Sequence, residues 1–278
     1  MTYQPKHAAE KIYKEGVKRI FEHVHIGKAD LHIHSNFSDA KPSIEEILEW
    51  TQKKTDLDII AITDHDTIDG ALLAQKIAKT KKYRFEIVVG EEISTKEGHV
   101  LGLFLTEKIK PHLTAHETLK QIKSQGGVSI AAHPFNYTRL NGGKMTLNDG
   151  IGMITLFKEK DLVDAVETVN ATPTRNRENL SAQFMNDTVL FRAETGGSDA
   201  HILDAIGMGQ TLFEGRHATE LKDALLHNQT KAISKRWRLM ALLRYLYFFL
   251  PKGLRLFFYT LFHGRRAKRP EMFISQGV

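Results

Sequence analysis

Residues 30–35 read Asp-Leu-His-Ile-His-Ser, and this alternation of polar and apolar side chains predicts a β-strand. Side chains alternate between the two faces of a strand, so Asp30, His32 and His34 are expected on one face and Leu31 and Ile33 on the other, in a core. Two imidazoles at positions i and i+2 can bind one metal ion, with Asp30 as a buried support beneath them. Two histidines on a polar face can also be incidental, so the prediction depends on further ligands elsewhere in the chain.

Short apolar strands alternate with helices after this stretch. The predicted strands are 24–34, 57–62, 85–89, 99–104, 128–132, 164–169 and 189–193, with 209–213 as one further candidate. Helices are predicted between most of them, and another is predicted at 6–24. Strands that alternate with helices indicate a parallel α/β architecture.

Residue types that bind metals follow the carboxyl ends of these apolar strands. They are His32, His34, His65, Glu92, His133, Asp199 and His201. The carboxyl ends of parallel strands converge at one rim of a β/α barrel, which is where such barrels carry their active sites. His99 begins its strand instead, which indicates an antiparallel element or a loop turned over the site.

The composition restricts the chemistry of any site. The chain has 278 residues and no cysteine, which excludes disulfides, thiolate metal sites and a cysteine nucleophile. Nitrogen and oxygen ligands favour manganese, iron, zinc or magnesium. The net charge of +6 comes from residues 231–278, which hold 11 Lys and Arg and one acid, leaving 28 basic and 32 acidic residues elsewhere. An acidic body argues against an extended nucleic-acid groove.

The C-terminal segment differs from the rest of the chain. Aromatic and apolar runs at 237–250 and 254–262 are interrupted by Pro-Lys-Gly at 251–253 and followed by the basic residues of 265–269. This pattern is typical of a helix at an anionic membrane interface. A helical hairpin packed on the barrel, a dimer contact and a nucleic-acid role are the alternatives. The first 18 residues lack a signal-peptide pattern, so we expect a cytoplasmic protein, peripheral at the inner membrane face if the tail binds lipid.

Five short motifs, in order, resemble the PHP (polymerase and histidinol phosphatase) domain, most nearly its stand-alone metal-dependent phosphoesterase branch. They read Asp-Leu-His-Ile-His-Ser at 30–35, Ile-Thr-Asp-His-Asp at 62–66, Gly-Glu-Glu-Ile-Ser at 90–94, Ala-His-Pro at 132–134 and Gly-Ser-Asp-Ala-His at 197–201. The resemblance covers about residues 28–215 and implies a distorted, TIM-like seven-stranded β/α barrel. The predicted division is an N-terminal helical segment (1–27), a PHP metal-dependent hydrolase domain (28–230) and a basic amphipathic tail (231–278).

The resemblance implies nine metal ligands. They are His32, His34, Asp39, His65, Glu92, His99, His133, Asp199 and His201. Glu92 matches a carboxylate that bridges two ions, with Glu91 as its rival. One ion is assigned to His32, His34, Glu92 and Asp199. A second is assigned to Glu92, His99 and His133, and a third to Asp39, His65 and His201. Structural roles, such as a turn histidine at His65 or a strand-edge histidine at His99, are the alternative.

The implied activity is hydrolysis of a small phosphate ester, or of a nucleotide or oligonucleotide phosphate, by a hydroxide bound to two or three divalent ions (Mn, Zn or Fe, with Mg as an option). Asp64, His65 and His201 are the predicted catalytic residues, with Asp64 orienting imidazoles. Arg139, Asn170 and Arg175 are candidate contacts to the phosphorylated substrate. Hydrolysis of an amide-type bond and a non-catalytic, membrane-associated PHP module are the competing hypotheses.

Overall fold

Nine strands form one curved sheet in the part of the chain that the computed structural model describes, residues 25–135, 137–138 and 147–263. The strands are β1 (Ile26–Ile33), β2 (Ile59–Ile62), β3 (Glu86–Ser94), β4 (His99–Leu103), β5 (Val128–Ala131), β6 (Tyr137–Thr138), β7 (Leu147–Asn148), β8 (Ala165–Asn170), β9 (Ala193–Gly197), β10 (Gly209–Glu214) and β11 (Thr230–Ser234). The sheet order is β11-β10-β1-β2-β3-β4-β5-β8-β9, and β6 and β7 form a separate hairpin. The predicted helix at 6–24 lies outside the described residues.

The helices lie between the strands. They are α1 (Ile44–Lys54), α2 (Asp69–Lys81), α3 (Ala115–Ser124), α4 (Gly152–Lys158), α5 (Asn176–Met185), α6 (Ala218–Leu226) and α7 (Leu239–His263). Ser43 and Glu46 close the first turn of α1 as a capping box, and Thr114 and Glu117 do the same for α3. The apolar residues of these helices pack against the outer side of the sheet, so strands such as β2 are buried along their whole length.

The sheet is nearly closed into a barrel. β1, β2 and β3 are parallel, β4 is antiparallel to both its neighbours, and β5, β8 and β9 are parallel again. Just beyond β9, Ala200 bridges to Ile33 at the end of β1, and the His34 N–H donates to the Ala200 carbonyl at 3.0 Å. The carboxyl ends of six parallel strands therefore surround one rim.

The predicted number of seven strands is wrong, because β10 and β11 extend the sheet beyond β1. β10 is antiparallel to β1, and β11 is antiparallel to β10. β11 lies at 230–234, so the sheet continues four residues past the predicted domain boundary at 230. The sequence around β11 carries few apolar residues, and the strand is only partly buried, which explains why its pattern predicts no strand.

Two further elements differ from the predictions. The strand expected at 189–193 is a π-helical turn, Asn186–Leu190, followed by β9 four residues further on than predicted. The Asn186 side chain fixes this turn, because its amide donates to the Arg192 carbonyl and its carbonyl accepts from the Arg192 N–H. Residues 239–263 of the tail form one continuous helix, α7, which runs through Pro251 instead of breaking there. Among the described residues, no helix is long and apolar enough to cross a bilayer.

Candidate metal centre

The first strand contains an irregularity that decides which side chains face the site. β1 is in register with β2 at Asp30 and again at Ile33, with a shift between them. Leu31 and Ile33 therefore pack in two different buried clusters, contrary to the prediction of a shared face. Asp30 is fully buried and supports the site through backbone groups, because its carboxylate accepts from the N–H groups of Ser198 (2.9 Å), Gly207 (2.7 Å) and, more weakly, His32 (3.4 Å). Asp30 thus fixes the loop that follows β9.

Glu92, on β3, lies at the centre of a cluster of five imidazoles. Three ring nitrogens approach its Oε2 atom: Nε2 of His32 and Nε2 of His34, both at 3.1 Å, and Nδ1 of His65 at 3.4 Å. Two approach Oε1: Nδ1 of His99 at 2.9 Å and Nε2 of His133 at 3.0 Å. One carboxylate with two oxygens cannot hydrogen-bond well to five rings, which is the arrangement expected of a bridging ligand.

Glu91 points the other way along the same strand. Its Oε2 accepts from the Ile109 backbone N–H at 2.9 Å, and burial raises the pKa of its carboxyl to about 7. Successive strand residues face opposite sides, so the two neighbouring glutamates cannot both reach the imidazoles. The geometry brings Glu92, and not its rival, to the cluster.

A second group of side chains adjoins the first at the rim. Nε2 of His34 lies 3.4 Å from Oδ1 of Asp199, and Nε2 of His201 lies 3.0 Å from Oδ1 of Asp39. The rings of His34 and His201 stack with their centroids 4.4 Å apart. His34 thus belongs to both groups.

All nine predicted ligands fall into four overlapping sets whose donor atoms lie within 4.8 Å of one another. The sets are His34, Asp39, His65 and His201; His32, Glu92 and His133; His32, His34 and Asp199; and His65, Glu92 and His99. The ligands predicted for a third ion, Asp39, His65 and His201, are joined in the structure by His34. The predicted second-ion group is divided, because His133 lies with His32 while His99 lies with His65.

The charges in this cluster depend on each other. Burial lowers the pKa of His32, but the carboxylates of Glu92 and Glu167 outweigh it, so that pKa is well above its ordinary value. Burial also lowers the pKa of His34, but Asp199 and Glu92 outweigh this effect and raise that pKa to about 10. Burial favours the neutral form of Glu92, yet the surrounding imidazoles hold its pKa well below the usual range. Imidazolium charges therefore balance the carboxylates wherever no other cation does so.

The donor set fits divalent metal ions. Imidazole nitrogens and carboxylate oxygens in this ratio suit manganese, iron and zinc. Neither ring nitrogen of His34 is in hydrogen-bonding geometry with any described residue, although the side chain is fully buried. Buried polar atoms without a hydrogen bond are rare in proteins, and a bound cation would satisfy them.

Glu167, on β8, is a member of the site that the sequence interpretation missed. Its Oε1 accepts from Nδ1 of His32 at 2.9 Å, and its Oε2 accepts from the His133 backbone N–H at 2.8 Å. A Cβ atom on Gly197 would lie 2.5 Å from both Glu167 Oε1 and His32 Cβ, so only glycine fits there. The available signal was an acid between the apolar residues Val166 and Val169 of this strand, since an unpaired buried acid is costly.

Asp64 is placed differently from its predicted role of orienting imidazoles. Its carboxylate accepts from the Ser35 N–H (2.7 Å), the Ser35 hydroxyl (2.6 Å) and the Ser38 hydroxyl (2.6 Å). These bonds tie the end of β2 to the loop that leads from β1 to Asp39. Asp64 therefore fixes the loop that carries a candidate ligand.

Replacing Asp64 by alanine is expected to lower the free energy of unfolding by about 2–4 kcal/mol, because three buried donors lose their acceptor. Urea unfolding of the metal-free protein measures this loss. The folded, metal-loaded variant should lose little of its turnover, even though its free energy of unfolding is lower. A fully stable but inactive Asp64→Ala protein would restore the catalytic assignment.

The three candidate substrate contacts have different positions. Arg139 lies outside the described residues. The Asn170 amide donates to both Glu167 and Asp199, each at 3.1 Å, so it is used within the site and is not free for a substrate. Arg175 has its Nη2 atom 3.6 Å from Oδ2 of Asp199, while its buried Nε and Nη1 atoms have no hydrogen-bond partner in the described part of the chain. Of the two described residues, only Arg175 is available to bind an anion.

Helix α7 lies against the same rim, as a single helix and not as the helical hairpin that was one alternative for the tail. The Trp237 indole, just before the helix, donates to the Ala171 carbonyl at 2.8 Å. The Phe249 ring contacts the ring of His201, with centroids 5.6 Å apart, and Tyr245 contacts Phe249. Burial, and then the charge of Asp199, raise the pKa of the Tyr245 hydroxyl. Aromatic side chains of the tail thus form one wall beside the ligand cluster.

Two known proteins are similar in sequence to parts of this chain. The uncharacterized protein MJ1587 of Methanocaldococcus jannaschii is 42% identical over 120 residues, which cover 39% of this chain and 68% of that protein. The phosphoribosyl 1,2-cyclic phosphate 1,2-diphosphodiesterase of Eggerthella lenta is 31% identical over 84 residues, 28% of this chain and 31% of that protein.

A solved structure shares the fold. It is a two-domain protein of Bacteroides vulgatus that contains a predicted PHP-like metal-dependent phosphoesterase, with a TM-score of 0.58 and 20% identity. The match covers 76% of this chain and 65% of that one, slightly less than two thirds of its length. The PHP domain matches residues 30–237 of the present chain, from the start of the first motif to seven residues inside the predicted tail. The chain therefore belongs to the PHP domain family.

Proposed function

We propose that this chain is a metal-dependent phosphoesterase that hydrolyses a small phosphate ester, or a nucleotide or oligonucleotide phosphate, at a multinuclear site. The observation that carries the proposal is the Glu92 carboxylate, which has five imidazole nitrogens within 3.4 Å and two further carboxylates, Asp39 and Asp199, in the adjoining group. The relative from Eggerthella lenta supports the phosphoester class. Only 31% of that protein is covered, so its particular substrate is not transferred to this chain.

The nine side chains of the four sets would hold the ions. Glu92 is the carboxylate common to two of these sets, and His32, His34 and His65 are the histidines that each belong to two. Bound divalent ions would neutralise phosphate charge and lower the pKa of a water molecule, which supplies a nucleophile without serine or cysteine. The chain itself shields the inner part of this site from water, since His32, His34 and Glu92 are almost completely buried, whereas Asp39 and His65 at the rim are partly exposed. Exclusion of water strengthens every charge interaction inside the cluster.

Arg175 is the residue that we assign to the substrate phosphate. Its guanidinium lies beside Asp199 at the edge of the ligand cluster, and two of its nitrogens have unused hydrogen-bonding capacity. A planar guanidinium can donate two parallel hydrogen bonds to a phosphate. His65 and His201 remain the histidines proposed for proton transfer, and His65 is the more exposed of the two.

Removal of metal tests the proposal directly. We expect purified protein loaded with manganese to hydrolyse members of a panel of phosphate esters, to lose this activity on chelation and to regain it when manganese is restored. Metal content is measured by elemental analysis, and phosphate release by a colorimetric assay. Activity that survives both chelation and the His32→Ala substitution would contradict the proposal. Turnover of amides, with none of phosphate esters, would select the amide hydrolase hypothesis instead.

A further inference from the structure

The outward face of α7 carries an apolar stripe. It consists of Leu239, Leu243, Leu246, Leu250 and Leu254, which we call the leucine stripe. Their spacing of three or four residues places them on one side of the helix over about 22 Å. Each of these side chains is between 48% and 71% exposed, and Met240 and Tyr247 beside them are also exposed. A contiguous apolar surface of this kind marks an interaction site.

The opposite face of α7 is attached to the barrel rim. Trp237, Tyr245 and Phe248 pack against the main core cluster, and Ala241 is buried. Arg244 pairs with both oxygens of Asp204, at 2.8 and 3.0 Å, in the turn that follows His201. The helix is therefore held beside the ligand cluster with its leucine stripe turned away from the protein.

The charge around the stripe indicates the kind of surface that covers it. The exposed Arg236 and Arg238 precede helix α7, residues 265–269 after it read Arg-Arg-Ala-Lys-Arg, and the helix itself contains no acidic residue. Arg244 does not add to this charge, because it is paired with Asp204 on the opposite face. A second copy of this helix would bring the same positive charges into contact, which opposes self-association. An anionic lipid surface offers an apolar layer for the leucines together with negative headgroups for the arginines and lysine.

We propose that the leucine stripe docks this chain on an anionic lipid surface, and that the metal centre at the adjoining rim hydrolyses phosphate esters carried by lipids of that surface. The second part rests on the proposed phosphoesterase function. For a lipid phosphate monoester, the oxygen of water forms a new bond to phosphorus and the bond from phosphorus to the ester oxygen breaks. That oxygen takes up a proton, so the products are inorganic phosphate and the lipid alcohol.

Vesicle flotation of the full chain tests docking without any catalytic step. We expect the protein to float with vesicles of phosphatidylglycerol and phosphatidylcholine, and much less with phosphatidylcholine alone. The double variant Leu243→Glu, Leu246→Glu should bind the anionic vesicles at least about tenfold more weakly, since it loses apolar contact and adds negative charge. The matched control Leu72→Glu, Leu226→Glu alters two similarly exposed leucines on α2 and α6 and should float like the wild type.

Hydrolysis provides the second measurement. With manganese present, phosphate release from vesicles that contain phosphatidic acid is compared with release from soluble glycerol 3-phosphate. We expect the wild type to favour the vesicles and the stripe variant to lose that preference while keeping its rate on the soluble ester. Equal flotation of the wild type and the stripe variant, or a stripe-dependent dimer by light scattering without flotation, would overturn docking. Flotation without hydrolysis of any phosphate ester would instead refute the phosphoesterase function and leave docking intact.

Discussion

Replacing Glu92 by glutamine is expected to abolish the metal centre and to lower phosphoesterase activity by roughly 10³-fold, equivalent to about 4 kcal/mol of transition-state stabilisation. Five imidazole nitrogens converge on this one carboxylate. A glutamine has the same shape but no charge. Its amide NH₂ group is a donor and would face imidazole nitrogens from which the carboxylate accepts hydrogen bonds. Elemental analysis of the purified variant should show less metal per chain, and added manganese should restore little activity.

The neighbouring glutamate provides the matched control for this experiment. Glu91 is as deeply buried as Glu92 and lies on the same strand, but it binds the Ile109 backbone N–H on the other side of the sheet. The Glu91→Gln variant keeps a carbonyl acceptor for that N–H, so we expect it to retain both metal and most of its activity. Equal losses in the two variants would mean that a buried charge on β3, and not ligation by Glu92, is what the site requires.

Seven of the nine candidate ligands could be proposed from the sequence because each belongs to a short motif at a strand end, whereas Asp39 lies in the loop after the first motif and His99 begins its strand. His65 and Glu92 are typical: an apolar run predicts the strand, and the parallel architecture brings the residue after it to the common rim. Neither residue needs a precise strand boundary to be placed at the site. Such local patterns, read together with the alternation of strands and helices, predicted the α/β class and the position of the cluster.

Features that depend on contacts between distant segments could not be predicted in this way. The register shift in β1 arises from its pairing with β2 and reverses the face of Asp30, and nothing within residues 26–33 marks it. The tail shows the same limitation, because Trp237 and Phe249 read as an interfacial pattern while their partners, Ala171 and His201, lie more than 45 residues away. Strand β11 was missed since its pairing with β10, and not its own weak apolar pattern, places it in the sheet.

Glu167 is the most consequential of these long-range contacts, and its replacement by alanine is the second large effect that we expect. Burial favours the neutral carboxyl, but the imidazole of His32 and its hydrogen bond hold the pKa of Glu167 below the ordinary value, so this carboxylate accepts the Nδ1 proton of His32. That bond leaves the Nε2 lone pair of His32 free to bind a metal beside Glu92. Loss of such an orienting partner lowers metal affinity by about 10–100-fold.

A second bond makes the effect of Glu167→Ala larger than the loss of one orienting group. The other oxygen of Glu167 accepts a hydrogen bond from the His133 backbone N–H at 2.8 Å. His133 has a backbone φ angle of 28°, which residues other than glycine rarely adopt. Without this bond the backbone at His133 is free to relax, and the imidazole moves away from Glu92. Manganese titration followed by calorimetry should show weaker binding, with partial recovery in Glu167→Gln, whose single carbonyl can replace only one of the two accepted bonds.

Glu194 supplies the control that separates positioning from a general loss of stability. It lies on strand β9, opposite Val166 of the adjacent strand β8. Its carboxylate pairs with Lys231 and accepts a hydrogen bond from the Ala232 N–H, both in β11. Glu194→Ala should lower the free energy of unfolding by about 1–3 kcal/mol and leave manganese affinity unchanged. If both variants weaken manganese binding in proportion to their loss of stability, Glu167 has no specific role in orienting the ligands. A loss of affinity confined to Glu167→Ala would instead show that a residue outside the predicted ligand set determines the geometry of two residues within it.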